Sequence, residues 1–208
     1  STEEPSNESA PSESPPMPHN DAVLTITART RIKSEAEAAD ELWHEIRNAY
    51  RTRRILTGTL DGIEQTAGGK TLATVSFRGF RIAIPIREML VLEDRMPSGR
   101  AYADYMNRLN RILGTMLGAE IDFIVKGIDS TTHSAVASRR EAMLRKRQTF
   151  YLGKDVSGNP YIYPGRLVEA RVIAVAEKVL RVEAFGIECA IFARDLSWQW
   201  VSAVRDLY

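Results

Sequence analysis

The stretch from residue 118 to residue 143, GAEIDFIVKGIDSTTHSAVASRREAM, constrains the fold more tightly than any other part of the chain. Ile121, Phe123 and Val125 alternate with Asp122, Ile124 and Lys126, a period of two with β-branched and aromatic content that predicts a strand. Asp129, Ser130, Thr131 and Thr132 follow; short polar side chains there can bond their own backbone and favour a turn. Ala135, Val136, Ala137 and Ser138 then return as a second strand, which runs into a basic helix.

Upstream, the pattern is also β. Residues 55–65 read as a strand, 66–70 as a Gly-Gly turn, 72–77 as a second strand, Arg78 and Gly79 as a tight turn, and 80–86 as a third strand. A short helical connection is predicted at 87–90. Residues 100–117 place Tyr102, Tyr105, Met106, Leu109, Ile112, Leu113 and Met116 at spacings of three and four, the signature of an amphipathic helix. Together the strands number five, as an OB-fold barrel requires. Before them, Ser34 with Glu37 three residues on forms a capping box that opens a helix over 34–54. Leu42, Ile46, Ala49 and Tyr50 line one face of it. Arg47, Arg51, Arg53 and Arg54 load its last turns favourably for the helix dipole. Residues 23–27 could add a strand.

The 208 residues leave room for one large or two small domains. Hydrophobic content of 44% and charged content of 26% are ordinary for a globular protein. No apolar run approaches about 20 residues, so no membrane span is expected, and the acidic, Pro-rich start does not read as a signal peptide. Cys189 is the single cysteine, which excludes an intramolecular disulfide and a cysteine metal cluster. A cytoplasmic location is expected. Residues 1–22 carry five acidic residues and no Lys or Arg, so the remainder holds 28 basic against 22 acidic residues. The net charge of +1 thus conceals an acidic tail, expected to be disordered, and a mildly basic body that permits a polyanion partner. The tail could be a plain solvated leader or a competitor of RNA for a basic surface.

Gly118, Ile128 with Asp129, and Ser138 with Arg139 stand where the last two strands of the ribosomal protein S1-type RNA-binding domain place equivalent residues. The segment 56–63, LTGTLDGI, resembles the opening strand of that family, and 84–89, IPIREM, resembles the end of its third strand. A second copy of the grammar begins at Gly165. Residues 168–175 resemble the opening strand again, 179–186 alternate as a second strand, and 190–198 resemble the third strand with its short helix. The resemblance, closest to small S1-like proteins of bacterial phages and mobile elements, implies a mainly β fold with helical additions. Taken with the acidic tail at 1–22 and the helix at 34–54 read from the residues, it implies a first S1-like OB domain over 55–144 with an inserted helix at 100–117. A connecting segment at 145–164 and a second, incomplete S1-like barrel at 165–208 follow. The strand at 23–32 is one candidate to complete that second barrel.

The family holds single-stranded RNA by stacking bases on aromatic side chains and pairing phosphates with Lys and Arg. The resemblance therefore implies RNA contacts from Phe77, Phe80, Arg81, Phe185 and Phe192, although a core role for one of Phe77 and Phe80, which flank the turn, is an equal alternative. The basic run at 139–147 adds Arg139, Arg140, Arg145, Lys146 and Arg147 as a phosphate track or, equally, a solvated helix face. The first copy departs from the family pattern: Thr71, Leu72, Ala73 and Thr74 replace the usual phenylalanines, and Pro85 the usual histidine. Tyr151, Tyr161 and Tyr163 cluster in the connector and suit packing between domains.

Signals for an enzyme fail. Gly69, Lys70 and Thr71 look like the end of a P-loop, but Glu64 stands where that motif needs its first Gly. His19, His44 and His133 lack metal-ligand spacing, and no carboxylate pair can be placed in one pocket. The expected function is therefore non-enzymatic binding of single-stranded RNA or the ribosome, with no metal or cofactor. The alternative is a protein-interaction adaptor that keeps the OB fold but has lost RNA binding; an exposed apolar patch on the 100–117 helix would favour it.

Overall fold

A computed structural model describes residues 35–91 and 97–196. The acidic tail, the strand expected at 23–32, Ser34 of the capping box and the last residues of the second copy lie outside the described residues. The chain divides into two compact units, 1–40 and 41–208. Of the first, only 35–40, the opening turns of a helix, are described.

Five strands close into a barrel in the order β1-β2-β3-β5-β4: β1 is Ile55–Gln65, β2 Thr71–Phe77, β3 Phe80–Pro85, β4 Glu120–Asp129 and β5 Ser134–Ser138. All neighbours are antiparallel except β3 and β5. Strand number and order are compatible with an OB-fold. Closure depends on β1, whose first half pairs with β4 and second half with β2, Thr59 serving both. A bulge between Leu60 and Gly62 bends the strand between those two partners. Gly58 faces inward there: a Cβ on it would lie 2.6 Å from the Ser76 carbonyl oxygen and 2.8 Å from Val75 Cγ1, so only glycine fits.

The barrel interior holds Leu56, Leu60, Val75, Ile82, Ile84, Ile121, Phe123 and Val125. Helices cover its ends. Helix α1 (Glu35–Thr52) buries Trp43, Ile46 and Ala49. Trp43 sits 5.6 Å from Phe80 and 5.0 Å from His133, beside the β2–β3 and β4–β5 turns. The buried stripe differs from the expected one, since Leu42 is half-buried and Tyr50 exposed. Trp43, not counted in the expected stripe, is buried with Ile46 and Ala49 instead. Helix α2 (Ile86–Met89) is the short connection after β3. Helix α3 (Arg100–Gly114) inserts Leu109 and Leu113, followed by Met116, at the end where β4 begins. It stops three residues short of the expected 117, because Thr115 to Gly118 turn back and Gly118 N–H reaches the Leu60 carbonyl oxygen at 2.7 Å.

Helix α4 (Arg139–Phe150) starts directly from β5 and extends six residues into what was expected to be connector. The Ser138 hydroxyl caps it by accepting from Glu141 N–H at 2.9 Å. The β4–β5 turn is held as expected, with Thr131 N–H donating to Asp129 Oδ1 at 2.9 Å.

The second S1-like barrel is not formed among the described residues. Residues 165–196 give one three-stranded antiparallel sheet, β6 (Arg171–Val175), β7 (Val179–Ala184) and β8 (Ile187–Phe192), followed by a 3-10 turn at Ala193–Asp195. Its core is small: Leu180, Val182 and Ala193, with Val172, Ile191 and Leu196 against them. Three short strands offer too little apolar face to close on themselves, and the sheet meets the rest of the chain through Ala174, which joins the barrel's core cluster, through Phe185 on Phe150, and through ion pairs. No helix among the described residues is long and apolar enough to cross a membrane.

Candidate nucleic-acid interface

The outer face of β2 and β3 follows from their register. Leu72, Thr74 and Ser76 sit opposite Pro85, Ala83 and Arg81, while Ala73 and Val75 turn inward with Ile84 and Ile82. This face, the usual binding surface of an OB barrel, carries no aromatic side chain. Its one cation, Arg81, is exposed and ion-paired with Glu64 of β1.

The structure does not assemble the ten expected contact residues into one surface. Phe77 is a core residue, edge-on to Phe123 at 6.2 Å. Phe80 is half-buried against Trp43. Phe185 forms the β7–β8 turn with φ +49° and stacks on Phe150 of α4 at 4.4 Å. Phe192 alone is well exposed, at 47%, with the Arg194 guanidinium 5.1 Å from its ring.

The basic run fastens the sheet to the barrel. Arg139 is wholly buried; it donates to Met89 O and Glu188 Oε1 at 2.9 Å each and to Glu183 Oε2 at 2.5 Å. Lys146 pairs with Asp122 of β4, whose other oxygen accepts from Thr57 at 2.6 Å and pairs with Arg171 of β6 at 2.9 Å. Burial alone would raise the Asp122 pKa, but the bonds from Lys146, Thr57 and Arg171 outweigh it and hold the carboxyl below its ordinary value. Arg147 Nε donates to Gly186 O at 2.6 Å. Arg145 donates to Arg53 O and lies 3.7 Å from Glu141. Arg140 is half-buried and has no hydrogen bond or ion pair among the described residues.

A different basic surface is present on α1. His44, Arg47, Asn48 and Arg51 follow the i, i+3, i+4, i+7 spacing, so they share one face of the helix. With Tyr50, and with Ile128 at the end of β4, they line a groove of about 590 Å³. Tyr50 is 37% exposed there. Among the described residues Arg47 has no acidic partner, and Arg51 bonds only the neutral Asn48, at 3.2 Å. Two cations are therefore uncompensated among the described residues, beside an accessible ring. By contrast Arg54 and Arg78 both pair with Glu45, at 3.0 and 2.7 Å, and Arg53, Lys126 and Arg145 converge on Glu141. Burial pushes Glu141 up, and those three cations pull it below its ordinary value. The sequence held a signal for this groove: the polar stripe at 44, 47, 48 and 51 lies opposite the apolar one. No protein-family model matches the chain, and no curated protein matches it significantly.

Proposed function

We propose that the chain is a non-enzymatic RNA-binding protein built on an OB-fold barrel of the S1 type, and that it takes single-stranded RNA along α1 rather than across β2 and β3. The supporting observation is the groove in which Arg47 and Arg51, free of carboxylate partners among the described residues, flank the accessible Tyr50. Phosphates pair with the guanidiniums and a base stacks on the phenol ring, a combination that is tolerant of sequence and sensitive to salt. A protein-adaptor role has less support, because α3, whose apolar face would have to be free, buries Leu109 and Leu113 in the barrel.

Fluorescence anisotropy with a labelled single-stranded RNA at two salt concentrations tests this. Binding should weaken steeply with salt, fall with Arg47→Ala plus Arg51→Ala, and be unchanged by Arg81→Ala. Absence of binding at low salt, or equal affinity of the double variant, would refute the reading.

A further inference from the structure

We propose that the cleft between α3, α4 and the three-stranded sheet binds a phosphomonoester carried on an apolar, ring-bearing body, the chemistry of a nucleoside monophosphate. The cleft has a volume of about 440 Å³, within the range of small-molecule sites. Helix α3 turns Tyr105, Arg108, Leu109 and Ile112 toward it, again at i, i+3, i+4 and i+7. Leu90 and Met143 extend the apolar floor. The cleft shares no residue with the α1 groove, so this inference stands apart from the RNA reading.

The charged rim is unbalanced. Among the described residues, Arg108, Arg147 and Arg181 face a single carboxylate, Glu188, which leaves a formal charge of +2 on the described lining. Both oxygens of Glu188 are already engaged, Oε1 by Arg139 at 2.9 Å and Oε2 by Arg181 at 2.5 Å. Arg139 lies behind it and is matched by Glu183. Arg147 uses Nε on a neutral carbonyl, Gly186 O, and so keeps its charge and both Nη groups for a ligand. Arg108 is exposed and makes no hydrogen bond or ion pair among the described residues.

Two uncompensated guanidiniums match a phosphate dianion in charge and in paired-donor geometry. The lining adds a requirement that bare phosphate cannot meet, since the half-buried Tyr105 and Ile112 stay partly wet unless an apolar body covers them. A ring placed beside Tyr105 gains a flat partner. The nucleoside without phosphate fails in the other way, leaving Arg108 and Arg147 without a counter-charge.

Isothermal titration of the full chain at low salt with adenosine 5′-monophosphate, adenosine and inorganic phosphate reads each half separately. The monophosphate should bind about tenfold or more tightly than either fragment, a gain of about 1.4 kcal/mol. Arg108→Ala should weaken it at least about fivefold, whereas Arg100→Ala, on the first turn of the same helix, should leave it unchanged. Arg108 is exposed, so its replacement does not put folding at risk. No binding, binding no tighter than inorganic phosphate, or equal loss from both variants would overturn the assignment. If the monophosphate binds, comparing 5′-phosphorylated and 5′-hydroxyl oligoribonucleotides distinguishes its source. A preference for the phosphorylated strand that Arg108→Ala abolishes assigns the ligand to an RNA end. Equal binding of the two strands assigns it to the free nucleotide.

Discussion

Replacing Arg139 by alanine should destabilise the protein by about 3–5 kcal/mol, the usual consequence of removing one member of a buried ion pair. The magnitude follows from what is left behind. Glu183, whose side chain is 3% exposed, loses its guanidinium partner and has no solvent to replace it. Met89 O loses a donor at 2.9 Å, and Glu188 keeps only Arg181. A loss of about 4 kcal/mol is a large fraction of a typical total of roughly 5–15 kcal/mol. Urea denaturation followed by circular dichroism measures it. The reasoning also fixes where the damage appears. Arg139 ties α2 and α4 to β7 and β8, so hydrogen exchange should accelerate in residues 171–192 while β1 to β5 stay protected. The pairing itself is read from a cycle of Arg139→Met, Glu183→Gln and the double variant, in which the double should cost about 2 kcal/mol less than the sum. A cost below about 1 kcal/mol for Arg139→Ala, additive effects in the cycle, or faster exchange confined to the barrel would refute the latch.

Gly186→Ala should cost about 1–3 kcal/mol by denaturation, because Gly186 has φ +86° and a Cβ there would collide with the Met143 carbonyl of α4. Gly58→Ala should cost a similar amount through overpacking against Ser76 O and Val75, and a loss under about 0.5 kcal/mol would show that the barrel can relax there. Asp122, Glu141 and Glu188 all titrate below their ordinary values, Glu188 because Arg139 and Arg181 overcome its burial. Their unfolded forms therefore take up protons first as pH falls. The stability they confer is full above the ordinary carboxylate range and is lost on acidification through the lowered folded values. Urea midpoints should fall between pH 6 and about pH 3, with a smaller fall for Asp122→Asn. Tyr50→Ala should weaken single-stranded RNA binding by about 1–3 kcal/mol in the anisotropy assay, the worth of one stacked base.

The barrel was legible in the chain because its signals are local. Alternation in 121–125 and the Asp129 turn each specify a strand or a turn from neighbours a few residues apart. The helix at 100–117 was legible for the same reason, and its early stop at Gly114 was not, because it depends on Gly118 meeting Leu60 of a distant strand. The second copy was expected to be an incomplete barrel, and its three strands form an open sheet whose own core is only Leu180, Val182 and Ala193 among the described residues.

The basic run at 139–147 shows why charge is harder to read than pattern. As a sequence it fits a phosphate track, a solvated face or a latch equally well, since the deciding partners stand 24 to 92 residues away. One local feature does discriminate. Phe185 and Gly186 form a two-residue turn, so Glu183 falls directly opposite Glu188 on the neighbouring strand. Like charges in that position repel. A hairpin that keeps both must have cations against it, and Arg181, two residues before Glu183, can satisfy only part of the demand. The remaining counter-charge has to come from elsewhere in the chain, and the N-terminal arginine of α4 is the residue that meets it. An acidic pair set by hairpin register thus predicts that at least one member of a remote basic run is not available to nucleic acid.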